Sequence, residues 1–126
     1  MDSKDQRNNG LKRFLRSFVF ASAGIKDTFQ TERNFKIHCI ISVAVIITSI
    51  IISLSRVEWI IVLFLIGGTL ALELINTALE KIVDLVTSEY HPLAKAAKDA
   101  AAGAVFIYAI LAAIIGMIIF FPKIFL

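Results

Sequence analysis

Four polar residues recur along one side of a greasy stretch: Glu73, Asn76, Glu80 and Asp84, with Thr77 beside them. At about 100° per residue they share one helical face. The rest of the stretch, including Leu72, Leu74, Ile75, Leu79, Ile82 and Val83, is apolar. Carboxylates and an amide in line are expensive to keep where solvation is poor, so an ionisable group at membrane depth marks a functional site. Their oxygens suit Mg²⁺, a hard cation usually held by one or two carboxylates together with substrate phosphates. Phosphoryl transfer needs that kind of charge neutralisation, precise positioning and a group to receive the acceptor's proton. This face has residues for each task.

The elements that must carry these residues follow from composition. The chain has 126 residues, 58% of them hydrophobic and 18% charged, with a mean hydropathy of +0.82. That is wrong for a soluble domain and right for one small polytopic membrane domain spanning residues 1–126. The first residues are polar and lack the apolar core of a signal peptide, so no cleavage is expected there. A single cysteine, Cys39, excludes an internal disulfide and a cysteine-based zinc site.

Residues 1–10 are polar and read as frayed. From Leu11, the apolar positions Leu11, Phe14, Leu15, Phe18 and Ile25 alternate with a face carrying Lys12, Arg13 and Arg16. This predicts an amphipathic surface helix over about residues 10–30, its bases available to lipid phosphate. The small residues 21–24 suggest a kink or a close packing site. Three spans are expected at about residues 37–54, 59–85 and 100–121, with His38 at the entrance of the first. Residues 55–58 read as the turn between the first two. Pro92 suits the first turn of the third helix. Small residues along that helix, Ala101, Ala104, Ala112 and Gly116 among them, suit close helix packing, and Gly67 and Gly68 need no chemical role.

Depth and orientation locate the polar face. Counting from Trp59 as an interfacial anchor, Glu73 lies about 21 Å and Glu80 about 32 Å along the helix, against a hydrocarbon core of ~30 Å. A lipid hydroxyl and a soluble nucleotide could meet between them. Basic residues crowd the N-terminal segment, and the second loop is followed by Lys95 and Lys98. The positive-inside rule therefore puts the N terminus and that loop in the cytoplasm. Glu32, Glu80, Asp84, Glu89, Lys98 and Asp99 then share one side.

Several chemistries are excluded. No P-loop pattern and no soluble-kinase Gly-rich, H-R-D or D-F-G set occurs. Two distant histidines do not make a metal site, and no Ser-His-Asp arrangement is readable. A small proton-coupled transporter remains open, although it would place its carboxylate near the midplane and needs no one-sided cluster. A purely structural three-span protein is the blander alternative, with no use for Glu73 and Glu80 in line.

The run E-L-I-N-T-A-L-E over residues 73–80, then V-D at 83–84, S-E-Y-H at 88–91 and A-K-D at 97–99, resembles the prokaryotic diacylglycerol kinase family, which includes the undecaprenol kinases. The resemblance spans nearly the whole chain. It implies an all-α fold of three transmembrane helices plus a surface helix, three subunits in a homotrimer, and sites at subunit boundaries. It implies ATP as phosphoryl donor, Mg²⁺, and a membrane lipid alcohol as acceptor, with no nucleic-acid partner. By the same resemblance Glu73 is the catalytic base and meets the lipid, while Glu32 and Glu80 hold the metal on ATP. Asn76, Glu89, Tyr90, His91, Lys98 and Asp99 match nucleotide contacts. Arg13 matches a surface-helix contact to nucleotide and lipid, and Phe20 stands where the diacylglycerol kinase branch has a tyrosine among its nucleotide contacts. The apolar Phe20, Ala21, Ala23 and Ile25 favour undecaprenol over diacylglycerol as acceptor, because a featureless isoprenoid chain offers a site no second polar group to hold.

Overall fold

The computed structural model describes residues 3–126, with side chains from Asn9 onward. Four helices follow one another: α1 (Ser3–Thr31), α2 (Arg33–Ile51), α3 (Arg56–Val86) and α4 (Pro92–Phe125). No strand occurs among the described residues. α2, α3 and α4 are each long and apolar enough to cross a membrane. At 1.5 Å per residue α3 extends about 46 Å and α4 about 50 Å, so both outrun the ~30 Å hydrocarbon layer.

α1 is longer than the sequence suggests and runs on from Ser3 through the segment read as frayed. It also passes without a break through residues 21–24, where a kink was expected. Helix propensity explains this, since alanine is the best helix former and a single glycine only weakens a long helix. Nothing lies within 4 Å of a side chain built on Gly24, so the small residues serve no close packing within this chain. Glu32 ends the helix in an extended conformation (φ −103°, ψ 115°). The hydrogen bonds carry on across it nevertheless, from Glu32 N–H to the Thr28 carbonyl (2.8 Å) and from Lys36 N–H to the Glu32 carbonyl (3.2 Å).

The first turn also differs from expectation. α2 stops at Ile51, Ser53 turns the chain with φ 53°, Ser55 caps the next helix and residues 56–58 are already helical. The reason is a capping box. Ser55 Oγ accepts from the Glu58 N–H (3.3 Å), and Glu58 Oε2 accepts from the Ser55 N–H (2.7 Å). These reciprocal bonds satisfy two backbone donors at once and start α3 three residues before Trp59. At the other end of the helix, His91 caps α4, its Nδ1 accepting from the Leu93 N–H at 3.1 Å, and Pro92 occupies the first helical position.

α3 is the central element. It packs most extensively on α4, less on α2, and α1 touches both α2 and α3. Two ion pairs join the antiparallel α3 and α4 near their ends, Glu58–Lys123 (3.3 Å) and Asp84–Lys98 (2.5 Å). Between them Tyr108 donates to the Phe64 carbonyl at 3.0 Å. A side chain on Gly68 would stand 2.0 Å from the Tyr108 hydroxyl, so only glycine admits that approach. Leu54, Val62 and Ile119 form a small buried cluster near the start of α3. Most large apolar side chains stay outside it, Phe64 at 75% exposure among them. For a helix facing lipid or a second subunit, that exposure is the expected condition.

Candidate active site

The buried residues of α3 form one stripe: Val62, Leu65, Thr69, Glu73 and Thr77. Their three- and four-residue spacing is that of a helix face turned inward. Thr69 bonds its own Leu65 carbonyl at 2.8 Å, which lets a hydroxyl sit in an apolar interior at little cost. Glu73 has no such local remedy. Its partner comes from α2, where His38 Nε2 stands 3.1 Å from Glu73 Oε1. The glutamate side chain is 6% exposed and the histidine 24%.

One turn further along, the Asn76 amide donates to Glu80 Oε1 at 3.2 Å. The other end of that amide, Asn76 Oδ1, is buried with no hydrogen-bond partner. A buried acceptor left unpaired is costly. Here it lies on the same side chain that grips a carboxylate, so hard oxygen donors gather on one turn of the helix. That donor set suits Mg²⁺. Among the described residues no cluster of three or more His, Cys, Asp or Glu forms.

Asp84, the last residue of the face, accepts from Lys98, which precedes the apolar run of α4. The carboxylate's hydrogen bond holds the Lys98 ammonium above its ordinary pKa. Asp99, although adjacent in sequence, pairs with Lys95 one turn back and not with Lys98. Consecutive helical residues point about 100° apart, so the K-D dipeptide splits between two partners. The neighbouring loop presents Glu89, Tyr90 and His91 as exposed residues, held by Thr87, whose Oγ1 accepts from the Glu89 N–H at 3.2 Å.

Glu32 is half-buried at the α1–α2 junction, and its side chain makes no capping bond. Asp27, a little more than a turn earlier, pairs with Lys81 of α3 and so ties α1 to the polar face. Arg13 stands with Asn9, Lys12 and Arg16 around a basic recess of about 390 Å³ on α1. Phe20 is exposed on the same helix. Within one chain, therefore, contacts join Glu73 to His38, Asn76 to Glu80 and Asp84 to Lys98. Arg13, Phe20 and Glu32 are placed on or beside α1 without such contacts.

The sequence reading passed over His38, treating it only as the entrance to a span. No helical spacing connects it to Glu73, because the two lie on different helices. Also unforeseen was an apolar groove of about 700 Å³ between α2, α3 and α4, lined by Val45, Leu65, Ala112, Gly116 and Phe120 among others. His38 lines it as well and is its one ionisable residue.

Comparison with known proteins agrees with this chemistry. The sequence profile described as Prokaryotic diacylglycerol kinase matches residues 19–120. The chain is 56% identical over 123 residues to an undecaprenol kinase of Bacillus subtilis, covering 98% of this chain and 99% of that one. It is 44% identical over 109 residues to a diacylglycerol kinase of Synechocystis, covering 86% of this chain and 62% of that one. A diacylglycerol kinase of Haemophilus influenzae is 30% identical over 116 residues, 91% of this chain and 98% of its own. With its three apolar helices and its polar α3 face, the chain belongs to the prokaryotic diacylglycerol kinase family and is a multi-pass membrane lipid kinase that draws its phosphoryl group from ATP.

Proposed function

We propose that the chain is an undecaprenol kinase, transferring the γ-phosphoryl group of Mg-ATP to the terminal hydroxyl of a polyprenol in the membrane. The observation that carries this reading is the 56% identity, over 98% of the chain, to a protein of that activity. The apolar groove beside His38 supports it, since its lining offers a lipid chain dispersion contacts and almost no polar group to satisfy. The second reading, diacylglycerol as acceptor, is favoured by the 44% identical relative. The two lipids competed at equal surface fraction in mixed micelles decide between them. A higher kcat/KM for undecaprenol is expected, and a higher value for diacylglycerol would overturn the choice of lipid while leaving the kinase intact.

In this reading Glu73 accepts the proton of the hydroxyl. The O–H bond breaks as the oxygen attacks the γ-phosphorus, and the bond to the ADP oxygen breaks in turn. Glu80 and Glu32 hold Mg²⁺ on the nucleotide, and Asn76 orients Glu80. When bound, the metal neutralises charge on the transferring phosphoryl group. Lys98 and Asp99 at the head of α4, with Glu89, Tyr90 and His91 of the preceding loop, contact the nucleotide. Arg13 and Phe20 of α1 border the entry, Arg13 reaching lipid phosphate as well. In this reading the N terminus and the nucleotide site face the cytoplasm, supported by Lys12, Arg13 and Arg16 on α1 and by Lys95 and Lys98 at the start of α4.

Three copies assemble, in this proposal, with each site shared at a subunit boundary. The support is physical: one chain leaves most of its large apolar side chains uncovered among the described residues. Inactive variants at Glu32 and at Glu80, mixed within one oligomer, should then regain part of the activity. Full activity from a monomer in detergent would overturn the assembly.

A further inference from the structure

A carboxylate held in an apolar layer persists only with a partner, because an unpaired buried charge costs several kcal/mol. Glu73 carries such a group, 6% exposed on the inner stripe of α3, and His38 Nε2 stands 3.1 Å from its Oε1. The other acids of that neighbourhood are engaged elsewhere: Glu80 by Asn76, Asp84 by Lys98 and Asp27 by Lys81. α4 lines the adjacent groove without an ionisable residue, and α2 contributes His38 alone. The α2 backbone under the histidine is ordinary helix, and its carbonyl also accepts from Ser42 Oγ at 2.7 Å. The imidazole is thus turned to Glu73 from a rigid element, at the end of the groove nearest the carboxylate.

We propose that His38 is the positioning residue of Glu73, steadying one carboxylate oxygen so that the carboxylate is aimed at the incoming lipid hydroxyl. The proposal rests on the reading of Glu73 as the proton acceptor. Bonds change as already described: the hydroxyl proton passes to Glu73, the oxygen bonds to phosphorus, and ADP departs with its electron pair. His38 gains and loses nothing in that step and acts only through the carboxylate it holds. The seat is precise because helices carry it. A reactive group displaced by about 1 Å can lose on the order of a hundredfold in rate.

The test uses full-length protein in mixed micelles with undecaprenol and Mg-ATP. H38A should lower kcat by about tenfold to a hundredfold while both KM values stay within about twofold. H38Q, whose amide N–H can replace the ring N–H, should retain most of the activity. Added imidazole should restore H38A and leave E73Q inactive. Placed on an E73D background, where the contact is already broken by the shorter side chain, H38A should cost less than about twofold more. A kcat for H38A equal to the wild type would overturn the proposal. So would equal losses in the wild-type and E73D backgrounds, which would mark His38 as a residue of the fold alone. Near-normal activity in E73Q would overturn the reading of Glu73 itself, whatever His38 does.

Discussion

Two paired acids sit on the same polar face of α3 and live in different media. His38–Glu73 is enclosed, with side-chain exposures of 24% and 6%. Asp84–Lys98 stands at the outer end of the helix, with the aspartate 64% and the lysine 38% exposed. The enclosed pair cannot be released to water, so losing one member strands the other at a cost of several kcal/mol. The outer pair exchanges protein for solvent almost freely, and pairs of that kind contribute between 0 and about 1 kcal/mol. Exposure therefore rises along α3 from Glu73 to Asp84. In the proposed function that gradient would run from lipid to nucleotide.

Substitution at the deep end should be the most damaging. Glu73→Gln should lower kcat by about 10²- to 10⁴-fold, the range of general-base catalysis, and raising Mg²⁺ should recover none of it. Glu80→Gln should also abolish transfer at ordinary Mg²⁺, but a metal titration should return part of the activity. Equal recovery in both variants would erase the division of labour between the two glutamates.

A second contrast concerns the flanks of α3. Against α4 it is packed without slack at Gly68, whereas a groove opens where α2, α3 and α4 meet. Gly68→Ala should therefore cost about 1–3 kcal/mol, read as a lower melting temperature in detergent, because Tyr108 must leave its bond to the Phe64 carbonyl. Ala112→Val, on the groove, should cost less than about 1 kcal/mol, since space is available. A reversal of that order would mean that the groove is filled in the assembled protein. The smallest effect should come from Asp84→Asn. It frees Lys98 and should change stability by no more than about 1 kcal/mol.

The α3 face was legible because its chemistry obeys one helical period: Glu73, Asn76, Glu80 and Asp84 fall in line without any tertiary knowledge. The three apolar helices were legible for the same reason, from the length and greasiness of their runs. His38 was hidden because its meaning arises between helices, and a histidine at the mouth of a span carries no mark of what it will touch. The capping box at Ser55 and Glu58 was in plain view as S-x-x-E, but the polar residues there suggested a turn, and their reciprocal bonds make the first turn of a helix instead. The continuity of α1 through Gly24 shows a weak breaker overruled by its alanine neighbours. The partition of Lys98 and Asp99 between two acid–base pairs followed from rotation per residue and could have been drawn in advance.

The sharp reversal at residues 52–55 has a consequence at the far end of the molecule. It joins α2 and α3 with almost no free chain, so the two helices behave as the arms of a folded ruler. Measured from that crease, His38 lies roughly 20 Å along one arm and Glu73 roughly 26 Å along the other, and the crease alone sets which marks face each other. One residue inserted into either arm would advance the marks beyond it by about 1.5 Å and rotate them by about 100°. Arm length is therefore a tighter constraint than arm composition: many apolar residues would serve between the crease and the site, but only one count of them brings these two side chains together.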